Sequence, residues 1–277
     1  MESKELTIVI VTFRSEKKII NCLKSISNKI PIIIIENSNN EKFKNTIENK
    51  FDNVICILVG ENKGYSFANN IGLKLVKTKF ALVLNPDTIL HKDAIKNFLI
   101  STVKIKDFWL IGPGNDQMKN LNFNQNNIKE VQNLKGFAIF FNLSKFNQSF
   151  FDENFFLFFE EIDLCKRVKQ LNGKIYLDKN IIINHEGGGS VDKEYSFELE
   201  KNRNWHWMWS TFYFHKKHNG IILAFVIILP KLLSAIFKTL FYLLIMNKKK
   251  RNIYFYRLSG IFNSMVGKKS WYRPSLD

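Results

Sequence analysis

The chain has 277 residues, 45% of them hydrophobic and 26 of them Phe, and carries a formal net charge of +16 from 41 basic and 25 acidic side chains. That length holds one substantial α/β domain with an appendage, and so much apolar and aromatic content excludes a disordered or low-complexity chain. Three widely spaced cysteines, Cys22, Cys56 and Cys165, form no CxxC pair, which argues against a disulfide framework or a zinc site.

In chain order, the charged opening Met1 to Glu5 leads into a short apolar run without a signal-cleavage pattern, so a cytosolic location is expected. Strands are predicted at Leu6 to Phe13, Pro31 to Glu36, Val54 to Val59, Phe80 to Leu84 and Phe108 to Ile111. Helices are predicted between them, over 16–28, 40–50, 65–77 and 91–104, the last following a Pro86-Asp87-Thr88 turn. This alternation is the pattern of a mostly parallel sheet with helices on both faces. Residues 114–133, rich in Asn and Gln, read as a loop or weak hairpin. A strand at Leu134 to Asn142, an aromatic stretch at Phe150 to Phe159, a helix from Glu160 to Leu171 and a strand from Lys174 to Asn184 follow. A catalytic domain over 1–190 and an extension over 191–277 are expected.

The extension is unlike the rest. Residues 201–277 hold 14 Lys or Arg against Asp277 alone. Such a segment can bind nucleic acid or an anionic membrane, and its interleaving with apolar runs favours the membrane, so no nucleic-acid partner is expected. The apolar stretch Ile221 to Met246 is long enough to span a bilayer, but Lys231 and Lys238 fall inside it, where each costs about 2.5–3.5 kcal/mol on the insertion scale. A broken, in-plane or re-entrant anchor is therefore expected. Trp205, Trp207, Trp209, Phe212, Tyr213 and Phe214, mixed with His206, His215 and His218, suit a headgroup region; the alternative is an aromatic helix packed on the catalytic domain.

In open parallel sheets, ligands bind beyond the carboxyl ends of the strands. Polar clusters stand there: Thr12-Phe13-Arg14, Glu36-Asn37-Ser38, Glu61-Asn62-Lys63-Gly64 and Asn85-Pro86-Asp87. The chain lacks GxGxxG and GxxxxGK[ST] in this half, so a diphosphate there calls for another device, such as a divalent cation held by Asp87.

The order of motifs resembles glycosyltransferase family 2 with the GT-A fold, especially its rhamnosyltransferase-like bacterial members, over residues 6 to about 190. The parts are Val9 to Phe13, Glu36 to Asn40, Asn62-Lys63-Gly64-Tyr65 through Gly72, Leu84-Asn85-Pro86-Asp87, Phe151-Asp152-Glu153 through Leu164, and His185 with Gly187-Gly188-Gly189-Ser190. The resemblance implies an inverting transfer of a hexose or deoxyhexose from a UDP- or dTDP-sugar to a saccharide, in cell-surface polysaccharide synthesis. Joined to the tail, it implies a lipid-linked acceptor at the inner face of the plasma membrane.

By the same resemblance, Thr12, Phe13, Glu36, Asn37, Asn62, Gly64, Asn70, Asn85 and Asp87 line the nucleotide-sugar site. The family's Asp-x-Asp-like motif is here Asn85-Pro86-Asp87, one carboxylate short, and His185 is a candidate to complete a shell for Mn²⁺ or Mg²⁺. Glu160-Glu161 matches the family's acidic pair, usually Glu-Asp; Glu161 is the candidate base, with Glu160 and Asp163 in support and Gly136 on the acceptor side. The alternatives are a catalytically silent nucleotide-sugar-binding protein of this fold and a sugar-phosphate nucleotidyltransferase. The latter would need a Gly-rich, Arg-containing loop after the first strand, which Thr12 to Glu16 does not supply.

Overall fold

A computed structural model describes residues 5–114, 127–147, 149–185 and 196–273. It divides into two compact units, one comprising Met1–Asp152 and Glu161–Val191, the other Glu153–Glu160 and Asp192–Asp277.

The first unit is a mixed α/β structure around a nine-stranded sheet. Its strands are β1 (Leu6–Thr12), β2 (Ile32–Glu36), β3 (Val54–Leu58), β4 (Phe80–Leu84), β5 (Thr88–Leu90), β6 (Leu110–Gly114), β7 (Ile128–Glu130), β8 (Ala138–Asn142) and β9 (Ile175–His185). The spatial order is β3-β2-β1-β4-β8-β6-β9-β5, with β7 on β9. The strands β3, β2, β1 and β4 are mutually parallel; β8 joins β4 and β6 antiparallel, and β6 pairs with β9 in parallel.

Alternation along the strands explains the layering, because successive side chains point to opposite faces. Ile8, Ile10, Ile34, Leu82 and Phe140 join one core with Ile19 and Cys22 of α1 (Glu16–Lys24), Phe43 and Ile47 of α2 (Glu41–Lys50), and Phe98 of α4 (Ala94–Lys104). Val9, Ala81, Val83, Ile139 and Phe141 join the other with Leu73 of α3 (Tyr65–Leu75) and Leu164 and Val168 of α5 (Glu160–Gln170). Strands buried on both faces have no polar side to display, hence the unbroken Ile-Ile-Ile-Ile and Ile-Val-Ile-Val runs. At Gly72 in α3 an added Cβ would collide with Val9, so the glycine lets that helix lie close to β1.

Several boundaries differ from expectation. The Pro86-Asp87-Thr88 turn leads into β5, whose pairing with β9 supplies order that local sequence does not. The 114–133 segment, expected as a loop or weak hairpin, contains β7, while 115–126 lie outside the described residues, as does the Gly187 to Ser190 segment.

The second unit is built on α6 (Ser196–Asn219), α7 (Ile221–Leu244) and α8 (Lys248–Met265). The apolar stretch is not broken: α7 runs continuously through Pro230. Nor do the aromatic residues all form an exposed belt. Trp205, Met208, Trp209 and Phe212 are buried with Ala224, Ile228, Ile261 and Tyr272, as the interior of a helical bundle. His206 is fully buried between Ser270 Oγ and the Tyr272 carbonyl, each 2.8 Å away, and burial pushes its pKa down to about 3. Gly260 fixes the crossing of α6 and α8, since a Cβ there would collide with the Trp205 carbonyl.

Candidate active site

Parallel register brings the candidate residues to one edge of the sheet. Thr12 and Glu36 are paired partners at the ends of β1 and β2, and β4 ends alongside, at Leu84 opposite Ile10. Because β8 runs antiparallel to β4, its start meets that end: Ala138 pairs with Leu84, and the Asn85 N–H donates to the Phe137 carbonyl at 2.9 Å. The end of β9 arrives there too, with His185 opposite Thr88.

Asp87 and His185, about a hundred residues apart in sequence, come together at this edge, Nε2 to Oδ1 3.3 Å. Asp87 is 7% exposed. Burial pushes its carboxyl upward, but the His185 contact and the positive charge of Lys18 outweigh it and hold the group below the usual carboxylate range. Among the described residues no cluster of three or more His, Cys, Asp or Glu could hold a metal ion. The donor chemistry of the pair nevertheless fits a divalent cation, a carboxylate oxygen and an imidazole nitrogen leaving other positions for diphosphate oxygens.

The His185 ring stacks on Phe137, centroids 4.8 Å apart and planes 8° from parallel. Phe137 follows Gly136, and a Cβ at Gly136 would sit 3.6 Å from Cβ, Cγ and Cδ of Glu161. Tyr65 Oη donates to the Gly136 carbonyl at 2.9 Å and fixes this strip of backbone. Asp87, His185, Phe137 and Gly136 thus lead towards Glu161, whose side chain borders the space that a Gly136 side chain would enter. The Glu161 Oε2 atom is buried without a hydrogen-bond partner, and desolvation pushes the carboxyl above the ordinary glutamate range despite backbone N–H groups at the start of α5. A desolvated carboxylate with a free oxygen is suited to accept a proton.

The supporting acids have defined places. Asp163 is fully buried and bonded to Arg167 Nε at 2.7 Å; Arg167 also donates to the Phe150 carbonyl, so the acid anchors a loop through an arginine. Glu160 is buried at the first position of α5.

The remaining candidates divide into exposed edges and structural ties. Thr12 Oγ1 is buried with no hydrogen-bond partner at the strand end. Phe13 is half-buried in the following turn, its N–H 3.4 Å from Ser15 Oγ. The Glu36 carboxylate accepts the Ser38 and Asn40 N–H groups and the Ser38 hydroxyl, shaping its own turn. Asn37 ties β2 to the 62–64 turn: its amide donates to the Gly64 carbonyl at 3.1 Å and accepts the Lys63 N–H at 3.3 Å. Asn62 accepts the Gly64 N–H, and Gly64, at φ +93°, takes a backbone conformation costly for other residues. Asn70, expected beside the nucleotide, bonds the Phe151 backbone at 2.9 Å through both ends of its buried amide. The sequence places Tyr65 and Phe137 inside resembling segments without giving either a role of its own, and Lys18 stands outside every motif; nothing local signals these contacts.

The Glycosyl transferase family 2 model matches residues 7–163, more than half of the chain. A low-salt glycan biosynthesis hexosyltransferase, Agl10 of Haloferax volcanii, is 26% identical over 195 residues, 61% of this chain and 62% of that protein. The chain therefore aligns with less than two thirds of that relative. Among solved structures, the mannosyltransferase PcManGT from Pyrobaculum calidifontis, in complex with GDP-Man and Mn²⁺, superposes with a TM-score of 0.58 at 11% identity, covering 96% of this chain and 88% of that one. GalNAc-T7 with UDP, GalNAc and Mn²⁺ superposes with a TM-score of 0.53 at 13% identity over 73% of this chain and 51% of its own. These likenesses establish the GT-A architecture.

Proposed function

The chain belongs to glycosyltransferase family 2, and from that premise we propose that it moves a hexose or deoxyhexose from a nucleoside-diphosphate sugar to a saccharide hydroxyl with inversion. The observation that carries the reading is the approach of Asp87, His185, Phe137 and Gly136 to Glu161, which sets a site for the diphosphate near a desolvated carboxylate.

In this reading Glu161 takes the proton from the acceptor hydroxyl as its oxygen forms a bond to the anomeric carbon. The bond from that carbon to the diphosphate oxygen breaks on the opposite face, and its electron pair leaves with the nucleoside diphosphate. Asp87 and His185, with Asn85 adjoining, would hold a divalent cation, which would supply neutralisation of the leaving group's charge. Thr12, Phe13 and Glu36 border the nucleoside, with Asn37, Asn62 and Gly64 fixing the loop around it. Gly136 leaves room for sugar beside the base. UDP- and dTDP-sugars are the donors of first choice; the GDP-mannose bound by PcManGT adds a third class to test.

The 1–190 segment is the catalytic domain of this proposal, and 191–277 is an extension that seats the chain on the inner face of the plasma membrane, where a lipid-linked saccharide is the acceptor. Support comes from α7, which is long and apolar enough to cross a membrane and leaves much of its apolar surface exposed. The test is nucleotide release from a panel of UDP-, dTDP- and GDP-sugars with Mn²⁺, with the anomeric configuration of the product read by NMR. Release from one donor class with inverted configuration supports the proposal; retained configuration refutes the role of Glu161.

A further inference from the structure

The second unit contains a cationic cavity that the sugar-transfer reading does not use, and we propose that it binds the phosphate headgroup of a lipid. The cavity, about 310 Å³, lies where Lys231, Ser234 and Lys238 of α7 face Tyr254 and Arg257 of α8.

The pattern on α7 explains why two lysines sit inside an apolar helix. Ala224, Ile228, Lys231, Ala235 and Lys238 recur at spacings of three and four, so they form one stripe. Ala224, Ile228 and Ala235 are buried, which identifies that stripe as the protein-facing side. The opposite side, Ile222, Val226, Leu229, Leu233, Phe237 and Leu240, is exposed and wholly apolar. The two charges that penalise a membrane-crossing helix thus line the cavity, Lys231 exposed and Lys238 half-buried, and leave an uninterrupted face for acyl chains.

None of the residues that line the cavity is acidic. Residues 201–273 contain no Asp or Glu. Lys238 Nζ lies 5.0 Å and the Arg257 guanidinium 5.7 Å from the Tyr254 ring centre, so both are gathered at one aromatic ring. Arg257 Nε is buried with no hydrogen-bond partner, and a terminal nitrogen of the same group reaches the Met208 sulfur, a weak acceptor, at 3.7 Å. A guanidinium beside two ammonium groups and the Ser234 hydroxyl supplies the charge and the donors that a phosphate takes. A free phosphate or nucleotide offers the same chemistry. We assign the lipid because the apolar face is on the helix that supplies both lysines. This inference stands apart from the sugar transfer proposed above and holds whether or not the bound lipid is glycosylated.

The test is sedimentation of the full-length chain with phosphatidylcholine vesicles containing either phosphatidic acid, a phosphomonoester, or phosphatidylglycerol, a diester, at matched surface charge. The chain is expected to favour the phosphomonoester vesicles, and the triple variant Lys231→Gln, Lys238→Gln, Arg257→Gln to lose that preference with about a tenfold or greater drop in affinity. The pair Lys248→Gln, Lys249→Gln should weaken binding to both vesicles equally, and Lys231→Arg, Lys238→Arg should keep the preference. Inorganic pyrophosphate, added to the unaltered chain, should compete with phosphatidic acid vesicles, a result that needs no variant to fold. Equal binding to both vesicle types by the unaltered chain, or a preference that survives the triple variant, overturns the site. Saturable pyrophosphate binding without any vesicle preference overturns the lipid assignment in favour of a soluble phosphate.

Discussion

His185 Nε2 lies 3.3 Å from Asp87 Oδ1, and the face of the imidazole is covered by a near-parallel stack on Phe137. A ring held this way presents its nitrogen to the carboxylate at little entropic cost, so both donors are aimed before a cation arrives. His185→Ala should raise the Mn²⁺ concentration for half-maximal turnover by about tenfold or more. Mn²⁺ titration of nucleotide release checks this; an unchanged midpoint would remove His185 from the site.

Glu161 predicts a conflict between stability and activity. Its folded carboxyl is raised by burial above its unfolded value, so its contribution favours the fold fully below the unfolded pKa and is lost as pH rises through the folded value. Above its unfolded value the raised carboxyl therefore opposes the native state. Glu161→Gln should raise the melting temperature at pH 7 relative to the parent chain, with the difference vanishing in acid. Turnover of the parent, which needs the ionised base, should rise with pH across the interval in which that stability falls. Melting curves from pH 4 to 8, read beside a rate profile, test both signs.

Asn70 is expected to behave as a positioning residue. Its amide satisfies both the N–H and the C=O of Phe151, 81 residues away in sequence. Asn70→Ala leaves two buried backbone groups unpaired, at about 1–3 kcal/mol each. Urea denaturation should show that loss, with donor KM changed far less than the midpoint; a KM effect without a stability effect would restore the direct nucleotide contact.

The second unit should be acid-labile. His206 is neutral and fully buried, with its folded pKa depressed to about 3. Its contribution is present in full above the unfolded value near 6.5 and is lost progressively as pH falls towards the folded one. Tryptophan fluorescence reports on it directly through Trp205 and Trp209. His206→Gln should flatten the acid transition, and an identical transition in the variant would show that another group drives it.

The strands were legible because burial on both faces demands continuous branched apolar runs, as in Ile32 to Ile35, and the site edge followed from where those runs stop. Asp87, His185 and Glu161 were named from motif order, and the fold supplies the arrangement among them that no spacing could reveal. What stayed hidden depends on tertiary partners. Asn70 read as a ligand contact because nothing local announces Phe151. The tail aromatics read as a headgroup belt because composition cannot tell a bundle interior from an interface when the covering helix lies some fifty residues downstream, as Ser259 does from Trp205. Lys231 and Lys238 argued against a single helix, but their stripe on α7 is the protein-facing one, and the helix continues.

The central claim is that Glu161 accepts the acceptor proton while the nucleotide sugar is held elsewhere at the same edge. The direct measurement compares turnover and donor affinity in the parent chain and in Glu161→Gln, with the preferred nucleotide sugar and Mn²⁺. The account predicts donor affinity unchanged within error and kcat reduced by about 10²-fold to 10⁴-fold. Unchanged kcat in Glu161→Gln would contradict it.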